Sequence, residues 1–583
     1  METQKSSNQL KSIVFIFAVS FVGSLFAQTR WYNPLNENYN VVQNQGWTDE
    51  IGKTYQRLPA RAEEKVRKPV WNLSQNSAGL GIHFYTNAEK IEIRYGVTGD
   101  FAMMHMPATG KSGVDLYAID PHGEWHLATA KYSFKDTIGY TYEIQPQNQF
   151  HKRGFEYRLY LPLYNSVKWM EIGVPDSAEF KFIPTVLEKP IVVYGTSIAQ
   201  GGCASRPGMG WTNILSRKLD YPVMNLAFSG NGPLEKELVD LMDEIDASLY
   251  IYDCLPNMGS LSTEEVVKRT IYGVTKIREK HETPILLVDH IGYRNQEMNR
   301  SSKESGDRMN SALKLAYDSL SSLGVTTIYH LSADMIDFPE DGCVDNIHPT
   351  DWGMQVYADA YEKIIREILS MPVGNLKTMQ PVSQRREPHM YEWKARHENI
   401  LQSIQSKHPR RVIIGNSITH YWGGTTERES GGQSWKQQME PAGYLNLGFG
   451  WDRIENVLWR VYHGELTGYK ADEVVLMIGT NNLGLNPDEE IVEGLRFLLQ
   501  QVSIRQPSAA IKVMGILPRR GGESHVKAMN ERISEMVLGE GYNYLDVGNH
   551  LLLGDGKIDE TLFSDGLHPN EKGYSKIVDD IVR

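Results

Sequence analysis

Cysteine is nearly absent: the 583 residues contain three, Cys203, Cys254 and Cys343. Three thiols cannot build the disulfide framework of a small stapled domain, so this chain must fold on its apolar core. Cys203 closely follows Ser197 and Cys343 stands two residues before Asp345, so both are expected near one site, either as buried thiols or as a disulfide. Basic runs are also missing, and the formal net charge is −12. Such a chain has no electrostatic basis for gripping phosphate backbones, which excludes nucleic acid as an expected partner. No apolar run beyond residue 27 is long enough to span a bilayer.

What is present begins with a leader. Lys5 and Lys11 precede an apolar run from Ile13 to Ala27, and Gln28 and Thr29 follow. Residues 1–27 therefore read as a secretory signal peptide cleaved near Ala27. No cysteine stands at the cleavage point, so a periplasmic or secreted protein without a lipid anchor is expected. The whole sequence, 41% hydrophobic and 23% charged, has an ordinary globular composition. Its length suits about three domains of ~150 residues each.

From Trp31 to Lys181 the pattern is alternation. Leu80–Phe84, Ile91–Tyr95, Tyr140–Ile144 and Tyr157–Leu161 have period two and are separated by Gly, Asn, Asp and Pro turns. Residues 28–186 are thus expected to form an antiparallel β-sandwich or jelly roll. The pattern then changes. Apolar runs at Ile191–Val193, Leu249–Ile251 and Ile285–Val288 alternate with helical stretches at Glu235–Ile245 and Arg308–Leu323, which predicts a parallel sheet with crossover helices over 187–372. A polar stretch rich in breakers marks 373–386 as a linker. A helix over Tyr391–Ile404 then opens a third domain, 387–583, whose strands at Val412–Ile414, Val474–Met477 and Ile511–Met514 repeat the second's.

The repetition extends to reactive residues. Ser197 in Gly195-Thr196-Ser197-Ile198 returns 220 positions later as Ser417 in Gly415-Asn416-Ser417-Ile418. Gly230 and Gly450, Asp345 and Asp565, His348 and His568, and Gly353 and Gly573 keep the same separation. A register held over five landmarks marks an internal duplication.

Each serine follows an apolar strand and precedes a helix, which exposes its hydroxyl at the carboxyl edge of the sheet. A serine hydroxyl attacks poorly unless a base takes its proton. Asp345-Asn346-Ile347-His348-Pro349 and Asp565-Gly566-Leu567-His568-Pro569 supply that base in each copy, with a carboxylate three residues upstream to steady the imidazolium. Acyl transfer further needs donors where the carbonyl oxygen becomes negative. The candidates are the backbone N–H groups of Gly230 and Gly450 and the side-chain amides of Asn257 and Asn481. The two asparagines are 224 apart, so a short insertion separates the copies there.

Serine, glycine, asparagine and Asp-x-x-His, in this order, resemble the four blocks of the SGNH (GDSL-type) hydrolase superfamily. The resemblance covers both α/β domains and implies a three-layer, flavodoxin-like fold and an esterase that needs no metal or other cofactor. Thr196 and Asn416 stand where the family's aspartate precedes the serine, a position outside the triad. Gly-x-Ser-x-Gly is absent around both serines, which argues against the α/β-hydrolase fold. Asn446 to Arg460 in the third domain resembles the platelet-activating factor acetylhydrolase-like branch. The second domain, with Gly113-Val114-Asp115-Leu116-Tyr117 in the β-domain, is similar to bacterial two-part carbohydrate esterases. Leu255-Pro256-Asn257 replaces the Gly-Thr-Asn that the third domain keeps.

The expected function is a secreted esterase with two centres that removes acetyl or another small acyl group from polysaccharide hydroxyls. Trp211, Trp352, Trp422 and Trp451 lie near the motifs and suit sugar-stacking clefts, and the loop Met103–Pro107 is expected either to reach the first cleft or to form a core methionine cluster. An acylated carbohydrate is the expected partner. Alternatives are an esterase for acetylated sialic acids, a lipid esterase, and a glycan-binding protein with a degenerate copy.

Overall fold

The computed structural model describes residues 28–424 and 430–583. The leader expected at 1–27 lies outside the described residues. Among those described, no helix is long and apolar enough to cross a membrane.

The alternating segments fold into two antiparallel sheets. One orders Thr29–Tyr32, Val167–Pro175, Lys90–Val97, Ile138–Glu143 and Ala130–Ser133; the other orders Phe180–Phe182, Gly81–Thr86, Phe155–Tyr160, Asp115–Ile119 and Trp125–Ala128, with Val42–Gln43 beside Gly81–Thr86. Inward residues of both sheets share one core. Ile91, Ile93 and Ile172 come from the first sheet, and Ile82, Phe84 and Leu159 from the second. Period two puts every other side chain into that core, which is why the alternation was readable.

Each α/β domain is built on five parallel strands in the order 2-1-3-4-5. In the first they are Val223–Ala227, Ile191–Gly195, Leu249–Asp253, Ile285–Val288 and Ile328–Leu331. In the second they are Tyr444–Gly448, Arg411–Gly415, Glu473–Met477, Ala510–Met514 and Asn543–Leu545. Successive residues of the central strand enter different cores. Val192 and Tyr194 face one helical layer, Ile191 and Val193 the other; Val412 and Ile414 oppose Ile413 likewise. Strands covered on both faces read as continuous apolar runs.

Two expected boundaries need correction. Leu58, Ala62, Val66 and Val70 precede most of the β-domain strands, yet they are buried in the core of the first α/β domain. That domain is therefore discontinuous, and its helix Lys68–Ser74 comes from between the second and third strands of the β-domain. Residues 373–386 are not a free tether either. Thr378, Ser383, Gln384 and Arg386 are buried. The Gln384 amide donates to the Gly450 carbonyl at 2.8 Å and to Asp452 Oδ1 at 3.1 Å. Arg386 donates to the carbonyl of Trp451 at 2.9 Å and to the ring of His122 in the β-domain at 3.0 Å.

All three units meet at a buried charged junction around a cavity of about 350 Å³. Glu156 and Arg158 project from one β-strand; Lys394 bonds Glu156 at 2.9 Å and Arg158 bonds Asp220 at 2.5 Å. Trp459 Nε1 donates to the other oxygen of Asp220 at 2.8 Å. Burial alone would raise the Glu156 carboxyl, but Lys394 and Arg158 outweigh it and hold it down at about 2.

Candidate active sites

Both serines open a helix directly after the central strand, Ser197 in Ser197–Gln200 and Ser417 in Ser417–Gly423. The preceding residue caps that helix. The Thr196 hydroxyl accepts the Ile198 N–H at 3.4 Å, and Asn416 Oδ1 accepts the Ile418 N–H at 2.9 Å. Threonine and asparagine both suit an N-cap, which accounts for what stands at the position before the serine.

The two copies build one constellation. Ser197 Oγ lies 2.9 Å from His348 Nε2, and Ser417 Oγ lies 2.8 Å from His568 Nε2. The other ring nitrogen of each histidine lies 2.8 Å from a carboxylate oxygen, of Asp345 and of Asp565. The second oxygen of each aspartate accepts backbone N–H groups two and three residues on, at 2.8–3.0 Å. This turn folds the carboxylate back against the ring. For Asp345, burial raises the carboxyl, but the backbone and ring N–H groups of His348 and the Ile347 N–H outweigh it and hold it below its usual range. The turn itself is tethered by an arginine that sequence reasoning did not find. Arg294 N donates to the Asn346 carbonyl and Arg520 N to that of Gly566, and their guanidinium groups reach Glu340 at 3.7 Å and Glu560 at 2.7 Å.

The oxyanion assignment requires a correction of register. The second strand pairs Ala227 with Gly195 in one copy and Gly448 with Gly415 in the other, an offset of one more residue than at the serine. The loop that follows keeps this shift. The N–H of Ser229 donates to Gln200 Oε1 at 2.8 Å, and that of Gly450 donates to His420 Nδ1 at 3.2 Å. Gly450 thus corresponds to Ser229, and its N–H is already engaged. The counterpart of Gly230 is Trp451, and the two share a left-handed backbone with φ of +66° and +64°. Among the described residues, neither of their N–H groups donates to another protein group. The asparagines do correspond: Asn257 Oδ1 accepts the Gly232 N–H at 2.9 Å, which leaves its amide N–H groups unengaged, and Asn481 Nδ2 donates to the Asp452 carbonyl at 2.9 Å.

A second pair of residues escaped sequence reading. Arg57 donates to the carbonyls of Asn225 and Ala227 at 3.1 and 2.7 Å and lies over the Phe228 ring at 4.9 Å. Arg396 does the same in the other copy, with the carbonyls of Gly448 and Asn446 at 2.8 and 3.4 Å and the Phe449 ring at 5.0 Å. Each guanidinium holds the strand end that launches the oxyanion loop. Burial lowers Arg57 to about 9 and Arg396 to about 10, so both remain cationic at neutral pH.

The walls around the two sites differ. His105, in the Met103–Pro107 loop of the β-domain, stacks on His348 with ring centroids 6.0 Å apart. Met104 beside it is fully exposed and Met106 is buried in the α/β core. That loop is locked down by Thr109, which donates to the Ser205 carbonyl at 2.7 Å, and by Gly110, where a Cβ would lie 2.2 Å from the Ala204 carbonyl oxygen. Asp115 of the Gly113–Tyr117 motif accepts from Arg206 and from the Gly208 N–H at 2.8 and 2.6 Å, which clamps the β-domain to the same loop. At the second site Tyr421 lies 5.0 Å from His568, and Trp451 meets Phe150 of the β-domain edge-on at 6.3 Å.

Two of the four tryptophans singled out from the sequence cannot stack on a ligand. Trp211 packs on Tyr361 at 4.2 Å and Trp422 on Tyr574 at 4.9 Å, both inside the cores. Trp352 and Trp451 are 56% and 41% exposed. The three cysteines are free thiols, so the disulfide alternative is not realised; burial, with Asp345 and the other thiol nearby, pushes Cys203 up to about 12. Among the described residues, no group of three or more His, Cys, Asp or Glu side chains is placed to hold a metal.

Each of the three units resembles known proteins. Residues 188–366 and 413–576 each match the GDSL-like lipase/acylhydrolase family, and residues 29–180 match the N-terminus of SGNH hydrolase-type esterases. The bovine platelet-activating factor acetylhydrolase IB subunit alpha1 is 30% identical over 190 residues, which are 32% of this chain and 78% of that protein. The rat alpha2 subunit is 28% identical over 190 residues, 32% of this chain and 80% of that protein. A Bacteroides ovatus protein assigned as a GDSL-like lipase superposes with a TM-score of 0.54 at 30% identity, over 59% of this chain and 98% of that one. The chain belongs to the GDSL-like (SGNH) lipase/acylhydrolase family, with two copies of its α/β domain in tandem.

Proposed function

We propose that this protein is a secreted esterase with two working centres that removes acetyl or other small acyl groups from carbohydrate hydroxyls. The observation that carries the proposal is the doubled chain of hydrogen bonds from serine through histidine to aspartate. As the serine Oγ attacks the ester carbonyl carbon, the histidine Nε2 takes its proton and the aspartate steadies the imidazolium. The carbonyl oxygen becomes negative against the N–H of Gly230 or Trp451 and the amide of Asn257 or Asn481. The imidazolium then protonates the departing sugar oxygen, which leaves an acyl-serine. Water, deprotonated by the same histidine, attacks that acyl group and releases the acid.

Carbohydrate is favoured over other alcohols by the exposed Trp451 at the oxyanion turn of the second centre; Trp352, four residues after His348 in the chain, is exposed as well. A lipid ester is the second reading for the downstream copy, supported by its likeness to the acetylhydrolase subunits. Hydrolysis of 4-nitrophenyl acetate by Ser197→Ala, Ser417→Ala and the double variant tests the chemistry. Each single variant should keep part of the rate and the double variant none. An unchanged rate in the double variant would sink the proposal. Acetate release from acetylated xylan, pectin, mannan and sialoglycan, beside a short-chain acyl phospholipid, separates the substrates. A mature N-terminus at Gln28 is expected by mass spectrometry of the exported protein.

A further inference from the structure

We infer that Trp451 determines the specificity of the second centre: its indole is the wall on which the sugar ring of the leaving group stacks, while its own N–H serves the oxyanion. The inference rests on the esterase reading above and narrows it to one residue and one part of the substrate.

Residue 451 is fixed from both sides. Gly450 before it donates to His420 on the Ser417 helix and accepts from the Tyr391 hydroxyl at 2.7 Å. Asp452 after it holds Asn481, and the carbonyl of residue 451 itself accepts from the buried Arg386. Its backbone is therefore set by the machinery around it, at a φ of +64° that side chains other than glycine rarely adopt. The first copy shows that glycine suffices there. Gly230 has the same φ, and a Cβ added to it would meet nothing within 4 Å. A tryptophan in the same turn accepts backbone strain that glycine would avoid.

Packing does not explain that choice. Trp451 is 41% exposed, whereas Trp211 and Trp422 near the two serines are buried. Among the described residues its ring meets Phe150, which is half-buried and is flanked by His122 at 5.1 Å and Arg153 at 5.2 Å. The result is an aromatic corner, one ring from each domain, beside the N–H that faces the reacting carbonyl. A pyranose ring presents apolar C–H faces and hydroxyl edges. It suits an indole face, with polar groups at the rim, better than an open-chain alcohol does.

The test uses the full chain carrying Ser197→Ala, so that the second centre alone is read. Trp451→Gly keeps the N–H and matches the first copy. It should raise KM for an acetylated xylo-oligosaccharide about tenfold, as expected for a lost aromatic stacking contact. Its effect on kcat/KM for ethyl acetate, which has no ring, should be several-fold smaller than its effect on the oligosaccharide. Trp451→Phe should recover most of the loss, and Phe150→Ala should cause a smaller rise of the same kind. Equal effects on ring and ring-free esters, or no effect on either, would overturn the inference while leaving the esterase reading intact. A Ser197→Ala parent that is inert towards all these esters, or that cleaves only the phospholipid, overturns the carbohydrate reading of this centre and this inference with it.

Discussion

The two α/β copies hold identical reactive groups in place by different means. Serine, histidine and aspartate are spaced alike, and the hydrogen bonds that join them agree within 0.1 Å. The arginine behind the oxyanion loop does not follow that spacing. In the second copy Arg396 sits on the helix Trp393–Lys407 just ahead of the first strand; in the first copy Arg57 arrives from beyond the β-domain. The same carbonyls are gripped and the same aromatic ring is covered. What has persisted is a physical requirement, a cation to hold the strand end, and the position of its donor in the chain has been free to drift. The surfaces above the triads are freer still. His105 covers His348 in one copy, and Trp451 with Phe150 stands beside the other.

Removing the nucleophile or base should break the likeness most completely. Ser417→Ala or His568→Ala in a Ser197→Ala chain is expected to lower kcat by about 10⁴–10⁶, and the reciprocal pair should do the same to the first centre. Next comes the oxyanion asparagine: Asn257→Ala and Asn481→Ala should each cost about 10²–10³ in kcat of their own centre, measured with the other serine removed. Equal losses would show that Leu255-Pro256-Asn257 works as well as the Gly-Thr-Asn of the second copy. Arg57→Ala and Arg396→Ala should each destabilise by about 2–4 kcal/mol, because several buried carbonyls lose a charged donor, and each should impair its own centre alone. A thermal melt and the two single-centre assays check this.

Acid should weaken the junction. Glu156 is held at about 2, below its ordinary value of 4.5, so its contribution is complete above about pH 4.5. That contribution is lost as the pH falls from there towards 2. Stability measured against pH should therefore decline over that window, and Glu156→Gln should flatten the decline. The smallest expected effect is His105→Ala, which should change KM of the first centre about threefold through a lost ring contact and leave the second centre untouched.

Much of this is legible in the amino-acid sequence. The strands declare themselves by period, and Asp-x-x-His is a contiguous motif whose turn geometry follows from three residues. The serine is marked by the strand that precedes it. What was not legible depended on contacts distant in the chain or on a shift of one residue. Gly230 and Gly450 share an offset with the triads, but the second strand of the downstream copy carries one extra position, and only the pairing of Gly448 with Gly415 reveals it. Trp211 and Trp422 look like Trp451 in a list of residues near motifs; their burial is decided by Tyr361 and Tyr574, far along the chain. Residues 373–386 carry the composition of a linker, yet their polar side chains find partners in the Gly450–Asp452 turn.

The charges buried where the three units meet bear on whether the chain can be dissected. A protein ending at residue 372 would leave Glu156 without Lys394, and Asp220 without the indole of Trp459. A fragment beginning at 387 would turn Lys394 and the tryptophan loose and lose Arg386, which carries the oxyanion turn. Either cut opens this junction to water and removes the hydrogen bonds and ion pairs that cross it. Either half prepared by itself should therefore be less stable than it is in the whole chain, although its triad is complete.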